Sequence, residues 1–553
     1  MTQLHTALRL PPPSFPQTVD AQAREGAVAT LGDATLRSIS QPRPRQAEAE
    51  SPSRPFAQHP QPVNRSQSLH ALIALQRAQI QATRSLILTP KNALNDMDNK
   101  LRAQLDNPDR QATASDLAQA KKHKSALTSL IATYRFQGMP HKQARREAAR
   151  QLSEAGNRAL NDKPWTTIDT VFTCRERLFQ SRIVPAAQLK LGEQNIFAKS
   201  YNGKGVCSGS SANTEHATNL WTSEVNAIRP HGQVQPLFKG VRHGTLSPYG
   251  LKNAKARLEG AKNRAREVVT AALMLRPDIL NAALNNDSVP LHLTSTSLLT
   301  AVNLGSWTEK NMLNDQIDAW RSLSSAPLDL QVRNAQGQLQ TIKVDLKVAA
   351  FNFGVNEMAL KLGLGNHYSD QFNAEGLRQL LGPDMDPESE PGGWVGHYLK
   401  NKPDNADKVR QLARQIRLIW QHQSHHQDEG EPYKAAQRIA MLTWEIGAVP
   451  CWNCKSGKDR TGMLDAELKR EVISQHLGDV PTTPGAPLLP EQQSVLQTVL
   501  MEGGNMEVQA QNTGVGGNKV VKDLPFMNLS LATRVGDASV WSQVKGLSAV
   551  VSA

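Results

Sequence analysis

The chain has 553 residues, 39% hydrophobic and 20% charged, with a formal net charge of +13 at pH 7. That length supports a sizeable core shared among about two to four units, and no window approaches the roughly eighteen uninterrupted apolar residues of a membrane-crossing helix. Four unevenly spaced cysteines argue against a disulfide scaffold and for a reducing site of action. The basic balance, without a recognisable nucleic-acid module, fits an anionic lipid surface better than nucleic acid.

Residues 1–65 read as a disordered leader. Pro11, Pro12, Pro13, Pro16, Pro42 and Pro44 sit among Gln, Ser and Ala with little to bury. The start lacks a basic stretch followed by an apolar one, so it is not a secretory signal peptide. Over 66–162 the composition turns helical. Ala71–Gln76 and Leu127–Ile131 carry apolar residues at helical spacing, with Pro108 and Pro140 expected at helix boundaries. Lys121, Lys122, Lys124, Arg145, Arg146 and Arg150 make this module basic.

From 163 to 553 the pattern is that of one α/β or α+β catalytic domain. Strands are expected at 330–332 and 342–346, helices at 406–421 and 433–445. The apolar run Val348–Phe351 leads into Asn352-Phe353-Gly354-Val355-Asn356-Glu357. Gly354 would permit a tight turn there, while Asn356 and Glu357 would either orient a neighbouring loop or hydrogen-bond substrate hydroxyls.

Residues 451–462 read CWNCKSGKDRTG, in which Cys454 and Arg460 bracket five residues. A thiolate and a guanidinium at this spacing fit one tight loop around a tetrahedral anion, with the arginine fork on two phosphate oxygens and successive amides forming a nest. An apolar stretch, Ile446–Trp452, predicts a buried strand before the loop. Leu464, Leu468 and Val472 predict a helix after it. A helix N-terminus favours both phosphate and thiolate. The roles follow: Cys454 as nucleophile, Arg460 as transition-state clamp, the amides of Ser456 and Gly457 within the cradle, and Thr461 donating to the sulfur. No metal or cofactor is needed for these steps. Cys451 and Cys454 also form a C-x-x-C pair, but Cys174 and Cys207 stand apart, so Cys451 reads as a small buried apolar residue rather than a redox or zinc partner.

Lys455 and Lys458 exceed what a single phosphate needs, which points to a ring carrying several phosphates. The general acid is open between Asp459 and the upstream Asp370, Asp384, Asp386, Asp404 and Asp407. Asn453 stands where many cysteine phosphatases carry histidine. Further on, Asn512-Thr513-Gly514-Val515-Gly516-Gly517-Asn518-Lys519-Val520 predicts a flexible glycine-rich loop able to close over a ligand, with Lys519 or Lys522 meeting a further phosphate. Residues after about 530 carry no clear signal.

The loop 454–462, the 352–361 motif and the 512–520 segment, in this order, resemble the type III secreted phosphoinositide phosphatases typified by SopB (SigD) and IpgD. The resemblance implies a bacterial effector, secreted into the host cell, acting at the cytoplasmic face of host membranes. Its implied substrates are inositol phospholipids, phosphatidylinositol 4,5-bisphosphate among them as a 4-phosphatase, and inositol polyphosphates. It also implies a secretion chaperone on the leader, a Rho-family GTPase on the helical module, and a lysine important for activity in the 519–522 region. Two readings compete: a protein tyrosine or dual-specificity phosphatase, and a GTPase-binding effector whose loop is inert.

Overall fold

The computed structural model describes residues 69–88, 90–106, 112–285, 287–304, 307–355, 363–521 and 530–548. The leader expected over 1–65, Pro108, Asn356, Glu357 and Lys522 lie outside the described residues.

Among the described residues four α-helices come first: α1 (Leu69–Leu86), α2 (Lys91–Arg102), α3 (Ala114–Arg135) and α4 (His141–Asn161). Helix α3 starts at a capping box in which Thr113 and Asp116 satisfy each other's backbone N–H groups. Pro140 stands at the N-cap of α4, where a missing N–H costs nothing. On α4 the residues Ala144, Ala148, Leu152 and Ala155 fall on one stripe. They share a core with Leu69, Ile73, Leu94, Leu127 and Ile131.

One eight-stranded mixed sheet organises the rest. Its strands are β1 (Ile168–Cys174), β2 (Arg177–Pro185), β3 (Trp221–Ile228), β4 (Val234–His243), β5 (Val289–Ser297), β6 (Leu328–Arg333), β7 (Leu339–Asn352) and β8 (Val449–Asn453), in spatial order β1-β2-β3-β4-β8-β5-β7-β6. The inner four, β4-β8-β5-β7, are parallel, and the outer pairings are antiparallel. Helices on both faces explain why β8 is buried at every residue, whereas β6, the edge strand, alternates between more and less buried positions. On one face lie α5 (Ala254–Met274) and Trp320 of α6 (Glu309–Leu323). On the other lie α7 (Asn366–Leu381), α8 (Ala406–Gln421), α9 (Lys434–Glu445) and α10 (Asp459–His476). The predicted Leu464 and Leu468 are fully buried on α10, and each such side chain contributes about 2 kcal/mol through lost apolar surface.

Parallel pairing brings four strand ends to one level. Asn453 stands opposite His243 on one side and Ser297 on the other, and Asn352 stands opposite Ser297. The Leu298 N–H donates to Asn453 O at 2.7 Å. The Asn352 amide donates to Ser297 O and Leu299 O at 3.1 and 2.8 Å. Gly354 serves close approach rather than the expected turn, since a Cβ there would sit 3.0 Å from Leu299 O.

The glycine-rich segment is packed instead of forming an open flap. Helix α11 (Asn505–Thr513) ends at Gly514, whose φ of +86° suits glycine. Val515 is buried against Leu72 and Ala120 of the N-terminal helices and against Leu547. A Cβ on Gly517, at φ +142°, would lie 2.5 Å from Ser548 N. The chain after 530, unread in the sequence, forms helices Leu531–Val535 and α12 (Ala538–Lys545).

Candidate active site

The loop from Cys454 to Arg460 joins the C-terminal end of β8 to the N-terminus of α10. It holds a tight turn because Gly457 adopts φ +62°, and a Cβ there would meet the His243 carbonyl at 2.5 Å. Three carbonyls are tied outward. Lys455 O accepts from Thr245 N at 3.1 Å, Ser456 O from Asn219 Nδ2 at 2.9 Å, and Gly457 O from Arg242 Nη2 at 3.4 Å. The N–H groups of Lys455, Ser456, Lys458 and Asp459 meet no acceptor among the described residues. Helix α10 also lacks a side-chain cap. Unpaired amides at a helix N-terminus make an anion site.

Cys454 is 2% exposed. Burial alone would push its thiol up, but the Arg460 charge and the hydroxyl and amide of Thr461 outweigh it and hold the thiol below its ordinary value. Thr461 Oγ1 is buried without another partner among the described residues, and Ser456 Oγ lies 3.9 Å from the sulfur. Cys451 faces the opposite core of the sheet and burial raises its thiol well above the ordinary value, so the two cysteines are not a redox pair.

Arg460 is fixed before any ligand arrives. Its Nη1 donates to Leu298 O at 2.7 Å and to Glu309 Oε2 at 3.0 Å, and its Nη2 to Glu309 Oε1 at 2.7 Å. Glu309 also accepts from Thr300 N at 2.7 Å. Burial would raise the Glu309 carboxyl, but Arg460 and this amide hold it below the ordinary range. Beneath the loop, Arg242, Asp465, Lys469 and Asn505 form a fully buried polar network. Asp465 accepts from Ser223 Oγ at 2.6 Å and from Asn505 Nδ2 at 2.9 Å, and lies 2.8 Å from Lys469 Nζ. Asn453 Oδ1 accepts from Gln316 at 3.0 Å, so this position braces β8 against α6.

The remaining expected site residues divide. Lys455 places its ammonium 5.0 Å above the Tyr249 ring. Lys458 is buried, 3.3 Å from Asp459 Oδ1, yet its Nζ makes no aligned hydrogen bond among the described residues. Asp459 Oδ1 accepts from Lys519 N at 2.8 Å, and Asp459 O from Asn518 Nδ2 at 3.2 Å. Lys519 is thus brought to the loop, its ammonium held below its ordinary value by burial and by Lys458. Among the other acids, Asp384, Asp386, Asp404 and Asp407 are exposed. Asp370 is engaged by His425 and His426, and although burial opposes it, they hold its carboxyl at about 2, far too low for a proton donor at neutral pH.

Sequence reasoning missed Glu309, Arg242, Asn219 and Asp465, none of which stands in a recognisable motif. It also missed Tyr433, whose buried hydroxyl has no partner among the described residues.

Residues 28–551 match the model of the enterobacterial virulence protein IpgD family. The chain is 46% identical over 505 residues to "Inositol phosphate phosphatase SopB" of Salmonella typhimurium, covering 90% of this chain and 89% of that protein. It is 44% identical over 398 residues to "Inositol phosphate phosphatase IpgD" of Shigella flexneri, covering 71% and 73%. The fold resembles that of the Legionella phosphoinositide phosphatase SidF, with a TM-score of 0.57 at 11% identity over 94% of this chain and 99% of that one. With a family model spanning nearly its whole length and relatives of this closeness, the chain belongs to the IpgD family of enterobacterial virulence proteins.

Proposed function

We propose that this protein removes phosphate from inositol phospholipids and soluble inositol polyphosphates through a phosphocysteine on Cys454. The observation that carries this reading is the thiol held low inside a loop whose carbonyls are tied outward and whose amides are unpaired. The Cys454 sulfur attacks phosphorus while the bond from phosphorus to the inositol oxygen breaks. Arg460 and the loop amides hold the three equatorial oxygens. The departing alkoxide takes its proton from Asp459, whose Oδ2 meets no donor among the described residues while Oδ1 anchors Lys519. Water then attacks the phosphocysteine and gives its proton to the Asp459 carboxylate left by the first step, the sulfur–phosphorus bond breaks, and Thr461 donates to the returning thiolate.

Lys455, Lys458 and Lys519 stand around the loop as partners for phosphates that are not hydrolysed. Phosphatidylinositol 4,5-bisphosphate, cleaved at the 4-position, fits that arrangement. Residues 163–553 form the catalytic domain in this reading. Residues 1–65 act as leader for a secretion chaperone, and 66–162 as a module for a Rho-family GTPase. Action follows secretion into the host cell. Among the described residues no helix is long and apolar enough to cross a membrane.

The test is phosphate release from every phosphoinositide isomer and from inositol polyphosphates, wild type beside Cys454→Ser. The wild type should act on at least one lipid and the variant on none. A wild type inactive throughout, or a variant retaining its rate, overturns the reading.

A further inference from the structure

Away from the loop, Asp370 of α7 meets two consecutive histidines from the turn after α8. His425 Nε2 and His426 Nε2 each lie 3.0 Å from the same Asp370 Oδ1. One donor atom from each residue falls within 4.8 Å of the other two. We propose that Asp370, His425 and His426 form a binding site for a divalent transition cation of the Zn²⁺ class, with a fourth position open to water.

The donor set is the first support. Two imidazole nitrogens and one carboxylate oxygen suit Zn²⁺, and such a three-ligand set leaves a coordination position free. The spacing is the second. A tetrahedral Zn²⁺ with bonds of about 2.0–2.1 Å holds its ligand atoms about 3.3 Å apart; two of the separations here are 3.0 Å and all three lie within 4.8 Å, so side-chain adjustments on the order of 1 Å admit the ion.

The site is also pre-set. His425 stacks on Trp420 at 5.1 Å and 15° and meets Phe353 edge-on at 5.9 Å, and its ring lies 4.1 Å from that of His426. Such rings do not need to be ordered on binding. Asp370 Oδ2 accepts no hydrogen bond from the described residues and is available as a second oxygen. Exposure of 19% for His426 and 23% for Asp370 gives an ion a way in, while His425 is 3% exposed. An ion here would fasten the end of α8 to α7, next to Ser369, whose hydroxyl donates to Asn352 Oδ1 at 2.5 Å.

The experiment is a Zn²⁺ titration by calorimetry on the full chain carrying Cys454→Ser, so that the reactive thiolate does not compete. His425→Gln and His426→Gln are added singly, and each variant's fold is checked by near-ultraviolet circular dichroism. One ion per chain is expected, weakened about tenfold or more by either glutamine. The parent should melt at a higher temperature with Zn²⁺ than after chelation. Absorption of the Co²⁺-loaded parent, free of thiolate charge transfer, confirms nitrogen and oxygen ligands. No binding by the folded parent, or equal binding by the folded variants, overturns the proposal and leaves a hydrogen-bonded histidine–aspartate–histidine brace. Should His425→Gln fail to fold, the more exposed His426→Gln decides.

Discussion

The guanidinium of Arg460 and the carboxylate of Glu309 meet fork to fork across 151 residues of chain, with nitrogen–oxygen distances of 2.7 and 3.0 Å. The pair fixes the plane in which the arginine offers its remaining donor face to an anion. Such a bidentate contact carries geometry as well as charge.

Glu309→Gln keeps the size of the side chain and removes its charge. The arginine then keeps Leu298 O and one amide oxygen but loses the fork-to-fork contact, and phosphate release should fall by roughly ten- to a hundredfold, the range expected for a small misplacement of a clamp. Stability should drop by about 1–3 kcal/mol, because a mostly buried guanidinium is left without its counter-charge and with one acceptor fewer. Steady-state kinetics with a urea melt checks both, and an unchanged rate would remove Glu309 from the machinery.

Gly457→Ala places a methyl group 2.5 Å from the His243 carbonyl carbon and oxygen at a φ of +62°. The loop must open to relieve it. We expect a loss on the order of 2 kcal/mol or more together with loss of turnover, measured by thermal unfolding and phosphate release. A fully active alanine variant would show that the turn is not needed.

Asp459→Asn separates proton donation from support of the loop. If the carboxyl protonates the leaving alkoxide, release from an inositol lipid should fall by about 10²–10⁴. Release from p-nitrophenyl phosphate, whose leaving group needs no proton, should then change little. Equal losses on both substrates would assign Asp459 to holding Lys519 alone.

Acid should destabilise the fold between about pH 6.5 and 4. Burial holds His243 at about 4 and His292 at about 3, against an ordinary value of 6.5. In that window the unfolded chain binds protons that the folded one refuses, so stability rises with pH and is lost as pH falls. The two together amount to several kcal/mol, at 1.36 kcal/mol per unit. Urea midpoints at pH 7 and 4.5 test this, and equal midpoints would contradict it.

What the sequence made legible was local. The 454–462 loop, the strand before it and the helix after it all follow from neighbours in the chain, as does the helix over 406–421. Period and capping chemistry act over a few residues, and so does a phosphate nest. Glu309, Asn219 and Arg242 reach the loop only through the order of the sheet, Arg242 on the parallel neighbour of β8 and Asn219 just before the antiparallel β3, and pairing order is not written in any short window. The glycines at 514–517 misled for the same reason: such residues serve mobility and tight packing alike, and only the buried Val515 decides between them.

Val515 has a consequence for how this molecule can be divided. Its neighbours Leu72 and Ala120 belong to the first helices, while four residues later the Lys519 amide grips Asp459 beside the nucleophile. Cutting the chain before residue 163 would bare Val515 and Leu547 to water and slacken that grip. The amputated enzyme should therefore turn over more slowly than the whole, although every residue of its reaction centre is still present.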